Sequence, residues 1–112
     1  MSFYRVKRYE NTLKQCLGEI FLNEVNNPLL REISVMEIIA APNLKTAKII
    51  VTSLKEEKVI LDSLNKAKGF IKKLIAEKMF LKYVPQIDFY FGTTLQNSKQ
   101  DNELGKNEER NP

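Results

Sequence analysis

Apolar and polar positions follow two rhythms along the chain, which predict a helix, two strands, a second helix and a third strand. Over residues 3–25, apolar side chains recur at spacings of three and four, as on one face of a helix. Asn27-Pro28 ends this segment, because proline disfavours a helical conformation in the residue before it. Residues 56–81 repeat the helical spacing and end before Pro85.

Three short segments rich in β-branched and aromatic residues predict strands at residues 33–41, 46–54 and 86–91. The first two are joined by Pro42-Asn43-Leu44-Lys45, whose proline and asparagine favour a turn, so a hairpin is expected. The third strand is reached through the second helix, and such a crossover makes the sheet mixed. The prediction is an α+β fold of order α-β-β-α-β, a two-layer sandwich with a mixed three-stranded sheet.

The chain of 112 residues predicts one domain over residues 1–92, since its length allows one modest core. Residues 93–112 lack an apolar pattern and are expected to form a disordered tail. No apolar run approaches the roughly 20 residues of a membrane span, and the N-terminus lacks a signal-peptide pattern. A single cysteine, Cys16, suits a reducing compartment, so a cytoplasmic location is expected.

The residue types leave few routes to catalysis. The chain contains no histidine, which is the commonest general base, and one cysteine. Its glycines, at positions 18, 69, 92 and 105, are too far apart for a phosphate-binding loop. Cys16 is predicted to be a small buried apolar residue, and Glu56-Glu57 to complement the dipole at the start of the second helix. A non-enzymatic protein without metal or cofactor is expected.

Positive charge is concentrated in the second half of the second helix. The net charge is +4, and residues 66–82 hold six lysines against one carboxylate, Glu77. A basic surface favours an acidic partner, with nucleic acid first and a membrane surface second. The candidate nucleic-acid-binding lysines are Lys66, Lys68, Lys72 and Lys73, then Lys78 and Lys82. The candidates that could extend the patch on the first helix are Arg5, Lys7, Arg8 and Lys14.

Gly69 stands among these lysines, where glycine weakens a helix by about 1 kcal/mol relative to alanine. At 100° per residue, Gly69 lies about 180° from Ile60 and the apolar stripe, so close packing on the core does not explain it. Either the helix bends or breaks there, or bare backbone lets a phosphate chain approach. We expect a kink at Ala67-Lys68-Gly69 and count Gly69 as a candidate nucleic-acid-binding residue. A purely structural kink beside a solvated lysine face is the alternative.

Aromatic residues near the lysines give no sign of base recognition. Phe70 is predicted at the edge of the apolar stripe, and no aromatic between residues 66 and 82 is predicted to face outward. Base stacking is therefore little expected, and the lysines would contact phosphates.

Four stretches together resemble the bacterial ribosome-binding factor A family: "RVKRYENTLKQCLGEIFLNEVNNPLL", "NLKTAKIIVT", "AKGFIKKLI" and "LKYVPQIDFYFG". Their combination is more specific than any one of them, since the Ala-x-Gly sequence is followed at the family's distance by Val84-Pro85 and an aromatic strand. The chain departs from the family pattern at Lys72 and Lys82, where arginine is usual, and at Asn43 and Gly92, where aspartate is usual.

The resemblance implies a KH-like fold of type II topology, in which the interruption at Ala67-Lys68-Gly69 replaces the GxxG loop of other KH domains. It also implies a monomeric, non-enzymatic factor that binds the free small (30S) ribosomal subunit and its 16S rRNA. Such a factor supports late subunit assembly, rRNA maturation and 5′-end processing, and growth in the cold. A protein-interaction module and a generic single-stranded RNA-binding KH module are the alternatives. Neither a membrane nor a small-molecule substrate is expected as a partner.

Overall fold

The computed structural model describes residues 3–92, and these contain every predicted helix and strand. The elements are α1 (Phe3–Glu19), a π-helical segment (Ile20–Glu24), α2 (Pro28–Arg31), β1 (Ser34–Ala40), β2 (Thr46–Thr52), α3 (Glu57–Met79) and β3 (Gln86–Phe91). The order of the predicted elements is confirmed, whereas the π-helical segment and α2 were not predicted. The tail predicted at 93–112 lies outside the described residues.

The three strands form one mixed sheet in the order β1-β2-β3, as predicted. β1 and β2 pair antiparallel through the predicted hairpin, and β2 and β3 pair parallel because α3 crosses the sheet between them. The register shifts between Val35 and Glu37, which is a bulge in β1. Helices cover one face of the sheet, and the other face leaves Ile39 and Tyr90 about half exposed.

The core lies between the helices and the covered face of the sheet. In β2, Ala47, Ile49 and Val51 are buried and alternate with more exposed positions. Burial of each large apolar side chain stabilises the fold by roughly 1.5–3 kcal/mol. Cys16 is buried, as predicted. Within residues 3–92, no helix combines the length and the apolarity needed to cross a membrane.

α3 is one uninterrupted α-helix over Glu57–Met79, so the helix does not break at Ala67-Lys68-Gly69, whereas a bend there stays a prediction. Its fully buried side chains keep a single helical phase on both sides of that sequence: Ile60, Leu64, Ile71 and Ile75. Their burial, at roughly 1.5–3 kcal/mol each, outweighs the penalty of about 1 kcal/mol for one glycine in a helix. Gly69 does lie on the outer face, and a Cβ there would meet open space.

The helical irregularity of this molecule lies at the end of α1. Residues Ile20–Glu24 are π-helical, with i→i+5 hydrogen bonds, and bury Ile20 and Phe21. After them, Asn27 caps α2 by accepting a hydrogen bond from the Leu29 amide at 3.0 Å. The helix predicted over 3–25 is therefore nearly right in extent but wrong in the conformation of its last turn.

α1 covers the outer edge of β1. The Ala40 amide donates to Glu10 Oε2 at 2.9 Å, and Lys14 Nζ donates to the Met36 carbonyl at 3.1 Å. Unpaired backbone groups along a strand edge can pair with another chain. These two side-chain bonds therefore help to close this side of the sheet.

Candidate nucleic-acid interface

The outer surface of α3 carries a lysine face, defined here as Lys66, Gly69, Lys72 and Lys73. Lys66 and Lys73 are exposed and Lys72 is half-buried. Among the ion pairs that residues 3–92 form, none involves these three lysines. Their ammonium groups are therefore available to phosphate oxygens, which suit lysine as a point charge. The predicted cluster around Gly69 is present, but on an unbroken helix.

Lys68 points to the sheet and not to the lysine face. Its ammonium lies 3.5 Å from the Asp88 carboxylate of β3, and 27% of its side chain is exposed. This pair links α3 to the edge strand of the sheet. Because Asp88 already neutralises much of its charge, Lys68 is a weaker ligand for phosphate than Lys66 or Lys73.

Lys78 is held by two carboxylates at the end of α1. Its Nζ lies 3.9 Å from Glu19 and 3.2 Å from Glu24. These glutamates are five residues apart, and the i→i+5 bonding of the π-helical segment brings such residues to the same side. The hydrogen bond with Glu24 raises the pKa of Lys78 above its ordinary value. Lys78 therefore joins α3 to α1 and adds little positive charge to the surface.

The four cations of α1 do not form one extension of the lysine face. Arg5 and Arg8 line an open groove at the end of α3. Lys7 lies 3.7 Å from the Glu10 carboxylate, and Lys14 binds the backbone of β1. The structure therefore places two of these predicted residues beside the end of α3, pairs Lys7 with a carboxylate of α1 and directs Lys14 to β1.

The chain that follows α3 exposes aromatic rings, contrary to the expectation from sequence. Phe80 is 92% exposed and Tyr83 is 80% exposed, and Lys82 Nζ lies 5.8 Å from the centre of the Tyr83 ring. In α1, Tyr4 is 68% exposed, with the Arg8 guanidinium 5.8 Å from its ring centre. We call these five residues the aromatic end. Helical geometry predicts that Phe80 is exposed, because at 100° per residue it lies about 160° from Ile60 and the apolar stripe.

Phe70 borders the lysine face and is about half exposed. It lines an open groove between α3 and the loop after the π-helical segment, with Val25, Asn26, Asn27 and Ala67 among the lining residues. Asparagine side chains carry both hydrogen-bond donors and acceptors. The groove therefore places polar groups and one ring next to the lysines.

The first turns of α3 have the opposite charge. Glu56, Glu57 and Asp62 lie along one groove there, and Lys58 pairs with Asp62 at 3.1 Å. Acidic residues at a helix start complement the helix dipole, as predicted for Glu56-Glu57. The charge along α3 therefore changes from acidic to basic, which would direct its second half toward a polyanion.

Asn43, one of the departures from the family pattern, forms a local hydrogen bond. Asn43 Oδ1 accepts from the Lys45 amide at 2.9 Å in the turn between β1 and β2. Because an amide oxygen and a carboxylate oxygen are both acceptors, asparagine can stabilise this turn as aspartate would.

Comparisons with known proteins agree with this fold. A family model described as ribosome-binding factor A matches residues 5–104. A search of curated protein sequences finds no match. Among solved structures, the crystal structure of ribosome-binding factor A from Thermus thermophilus has a TM-score of 0.68 at 20% identity. That alignment covers 76% of this chain and 93% of the Thermus chain.

Two other solved structures share the fold. A Thermotoga maritima protein named as a candidate ribosome binding factor A, solved by NMR, has a TM-score of 0.68 at 23% identity. The alignment covers 80% of this chain and 89% of that one. A homology model of the Thermus thermophilus factor, fitted into a cryo-EM map of a 30S complex, has a TM-score of 0.63 at 20% identity. That alignment covers 71% of this chain and 87% of the Thermus chain. These identities show the fold, whereas the family model spans most of the sequence: the chain belongs to the ribosome-binding factor A family.

Proposed function

We propose that this protein binds the free small ribosomal subunit through 16S rRNA and supports late subunit assembly. The lysine face carries the proposal, because three lysines without a carboxylate partner among residues 3–92 share one helix. Membership of a family of ribosome-binding factors, and a 30S complex of a Thermus relative, support this choice of partner. Phosphate oxygens are the ligands that suit such ammonium groups.

In this proposal the candidate residues divide by their surroundings. Lys66, Lys72 and Lys73 contact phosphates, and Gly69 lets the RNA backbone approach α3, since it has no side chain. The cations beside the end of α3 extend the contact: Arg5, Arg8 and Lys82. The cations that contact a carboxylate or a backbone carbonyl within 4 Å, as described above, hold the local structure in place: Lys7, Lys14, Lys68 and Lys78.

The role is that of a binding protein and not of a nuclease. Lysine–phosphate contacts carry little sequence information, so selectivity would come from the shape of the folded RNA. A bound factor would hold the rRNA in a form that processing enzymes act on, which would promote maturation at the 5′ end. In this proposal the protein acts as a cytoplasmic monomer and supports growth in the cold, when misfolded RNA rearranges slowly.

The test compares binding of the full chain to purified free small subunits, whole ribosomes and single-stranded RNA over a range of salt concentrations. We expect the free subunit to be preferred and its affinity to fall steeply with salt, because phosphate contacts release counterions. Salt-insensitive binding to another protein, with no affinity for the subunit, would contradict the proposal. Preference for single-stranded RNA over subunits would favour a generic KH module.

A further inference from the structure

The aromatic end has features that phosphate binding does not require. Phe80 and Tyr83 expose most of their surface and contribute little to the core. Single exposed apolar residues are common on proteins, whereas these rings are grouped with cations. Lys82 and Arg8 each lie within 6 Å of a tyrosine ring centre, a distance typical of cation–π contacts.

Backbone strain occurs at the same place. Among residues 3–92, two non-glycine residues have positive φ, Leu44 at 60° and Phe80 at 55°. Phe80 ends α3 in the left-handed conformation that usually belongs to glycine, and the Leu81 amide closes the turn by donating to Ala76 at 3.0 Å. Leu44 lines the groove beside the aromatic end, and so do Met79 and Leu81 on either side of Phe80. Strained residues cluster at functional sites.

The charge at this end is strongly one-sided. The three segments around the groove, residues 3–12, 41–46 and 79–86, contain five cations and one carboxylate. That carboxylate, Glu10, is engaged by Lys7 and by the Ala40 amide. The field over the groove is therefore positive, and an anionic partner fits it.

We propose that the aromatic end captures unpaired bases of single-stranded RNA, with Phe80 and Tyr83 as stacking platforms and Arg8 and Lys82 as phosphate ligands. Aromatic rings stack on every kind of base, and neighbouring cations follow the strand's phosphates. The choice of RNA as the partner rests on the proposed function. What this inference adds is that the RNA bound here is single-stranded and has unpaired bases. The lysine face contacts backbone phosphates, whereas the aromatic end holds bases that have left their helix.

The variant Phe80→Gly separates a binding role from a structural one, because their effects have opposite signs. Glycine adopts the left-handed conformation without steric conflict, so the Tm of the variant should rise. Loss of the ring should weaken binding to single-stranded RNA about tenfold, or about 1.4 kcal/mol. Tyr83→Leu keeps an apolar side chain without the ring and should weaken binding several-fold.

Tyr90→Leu is the matched control. Tyr90 lies on the open face of the sheet, and Lys48 Nζ lies 5.9 Å from its ring centre, almost the geometry of Lys82 and Tyr83. Removing that ring changes an equivalent lysine–tyrosine pair away from the aromatic end. The affinity of the control for single-stranded RNA should equal that of the wild type.

The experiment titrates the full chain and each variant with an oligoribonucleotide of roughly ten nucleotides carrying 2-aminopurine, whose fluorescence reports stacking, and with an abasic strand of equal length. Binding that needs bases and weakens in Phe80→Gly and Tyr83→Leu supports the inference. Three results would overturn it: equal affinity for the abasic strand, wild-type affinity in Phe80→Gly, or an equal loss in Tyr90→Leu.

Purified small subunits are titrated in parallel, so that two failures can be told apart. Subunit binding without base-dependent binding of the oligonucleotide rejects the stacking site and leaves the proposed function intact. Base-dependent binding without subunit binding supports the stacking site and rejects the proposed function. Variants that lose subunit affinity but keep oligonucleotide affinity would point to a protein contact and overturn the inference.

Discussion

The lysine face and the aromatic end are both basic, but they are built differently. The lysine face lies on an unbroken helix above fully buried side chains, whereas the aromatic end lies where that helix stops and Phe80 adopts a left-handed conformation. Fixed charges on a rigid helix suit a phosphate backbone of fixed shape. Exposed rings beside cations suit a strand that can bring its bases to them.

The difference between these surfaces shows that net charge is a poor guide to either. Lys68 and Lys78 belong to the same run of lysines as Lys66 and Lys73, yet each has a carboxylate within 4 Å. Their charge is compensated, so they take part in holding the fold together. A basic surface is defined by the carboxylates around its cations as much as by the cations themselves.

The largest expected effect tests the rigid support of the lysine face. Ile71 is fully buried beneath it, so Ile71→Ala should lower the free energy of unfolding by about 2–5 kcal/mol. Leu81, beside the aromatic end, is only partly buried, and Leu81→Ala should lower it by about 1 kcal/mol. Urea unfolding measures both values. Equal losses would contradict the contrast in rigidity between the two surfaces.

The next effect concerns the charges on the lysine face. Replacing Lys66, Lys72 and Lys73 by glutamine should lower subunit affinity about 100-fold at low salt, or about 2.7 kcal/mol. The slope of log affinity against log salt should fall in magnitude by about two to three. The charge-matched control replaces Lys55 and Lys58 by glutamine near the acidic start of the same helix, and it is compared with the double variant of Lys66 and Lys73. A similar loss in the control would mean that overall charge, and not this face, attracts the subunit.

Gly69→Ala tests whether the glycine itself has a role in binding. Because Gly69 is helical and a Cβ meets no neighbour within 4 Å, the variant should gain about 1 kcal/mol of stability. If the RNA backbone approaches α3 closely, the same variant should lose subunit affinity. Gly18→Ala is the control, since Gly18 is helical and equally open, and it should gain stability alone. Unchanged subunit affinity in Gly69→Ala would show that Gly69 is incidental to binding.

Lys68→Gln should separate a structural lysine from a binding one. The Lys68–Asp88 pair is partly exposed, so its loss should change the free energy of unfolding by only about 0–1 kcal/mol. The salt dependence of subunit binding should stay as in the wild type. A slope reduced by about one would instead assign Lys68 to the phosphate contacts.

The smallest expected effect is a fall in the free energy of unfolding at alkaline pH, which a thiol in the core causes and neither surface does. Burial raises the pKa of the Cys16 thiol above its ordinary 9.0, so the unfolded chain releases this proton first. The stability contributed by the neutral thiol is complete below about pH 9 and falls as pH rises toward the folded pKa. Cys16→Ala should flatten the decline in urea-unfolding free energy just above pH 9. An unchanged decline would mean that Tyr9 causes it, because burial also raises the pKa of the Tyr9 phenol.

Periodicity was sufficient for most of the fold because the stripes facing the core are nearly continuous. It failed at Ile20–Glu24, where one extra residue in a turn moves the apolar positions too little to be noticed in sequence. Gly69 does not break the helix, since the local preference of glycine is smaller than the burial energy of the whole helix. The lysine cluster could be predicted, but the partners of Lys68 and Lys78 are distant in sequence and appear only in the folded chain.

The two glutamates that pair with Lys78 link the geometry of the π-helical segment to the surface charge of α3. A π-helical turn holds one residue more than the α-helical turn it replaces, so removal of a residue within Ile20–Glu24 would restore regular geometry. The two glutamates would then be four residues apart, a spacing that keeps them on one side of an α-helix, so Lys78 would keep both acidic partners. Without a deletion, the same five-residue spacing on a regular α-helix would place Glu19 and Glu24 about 140° apart. The π-helical turn is therefore what holds both carboxylates against Lys78 and keeps its charge compensated.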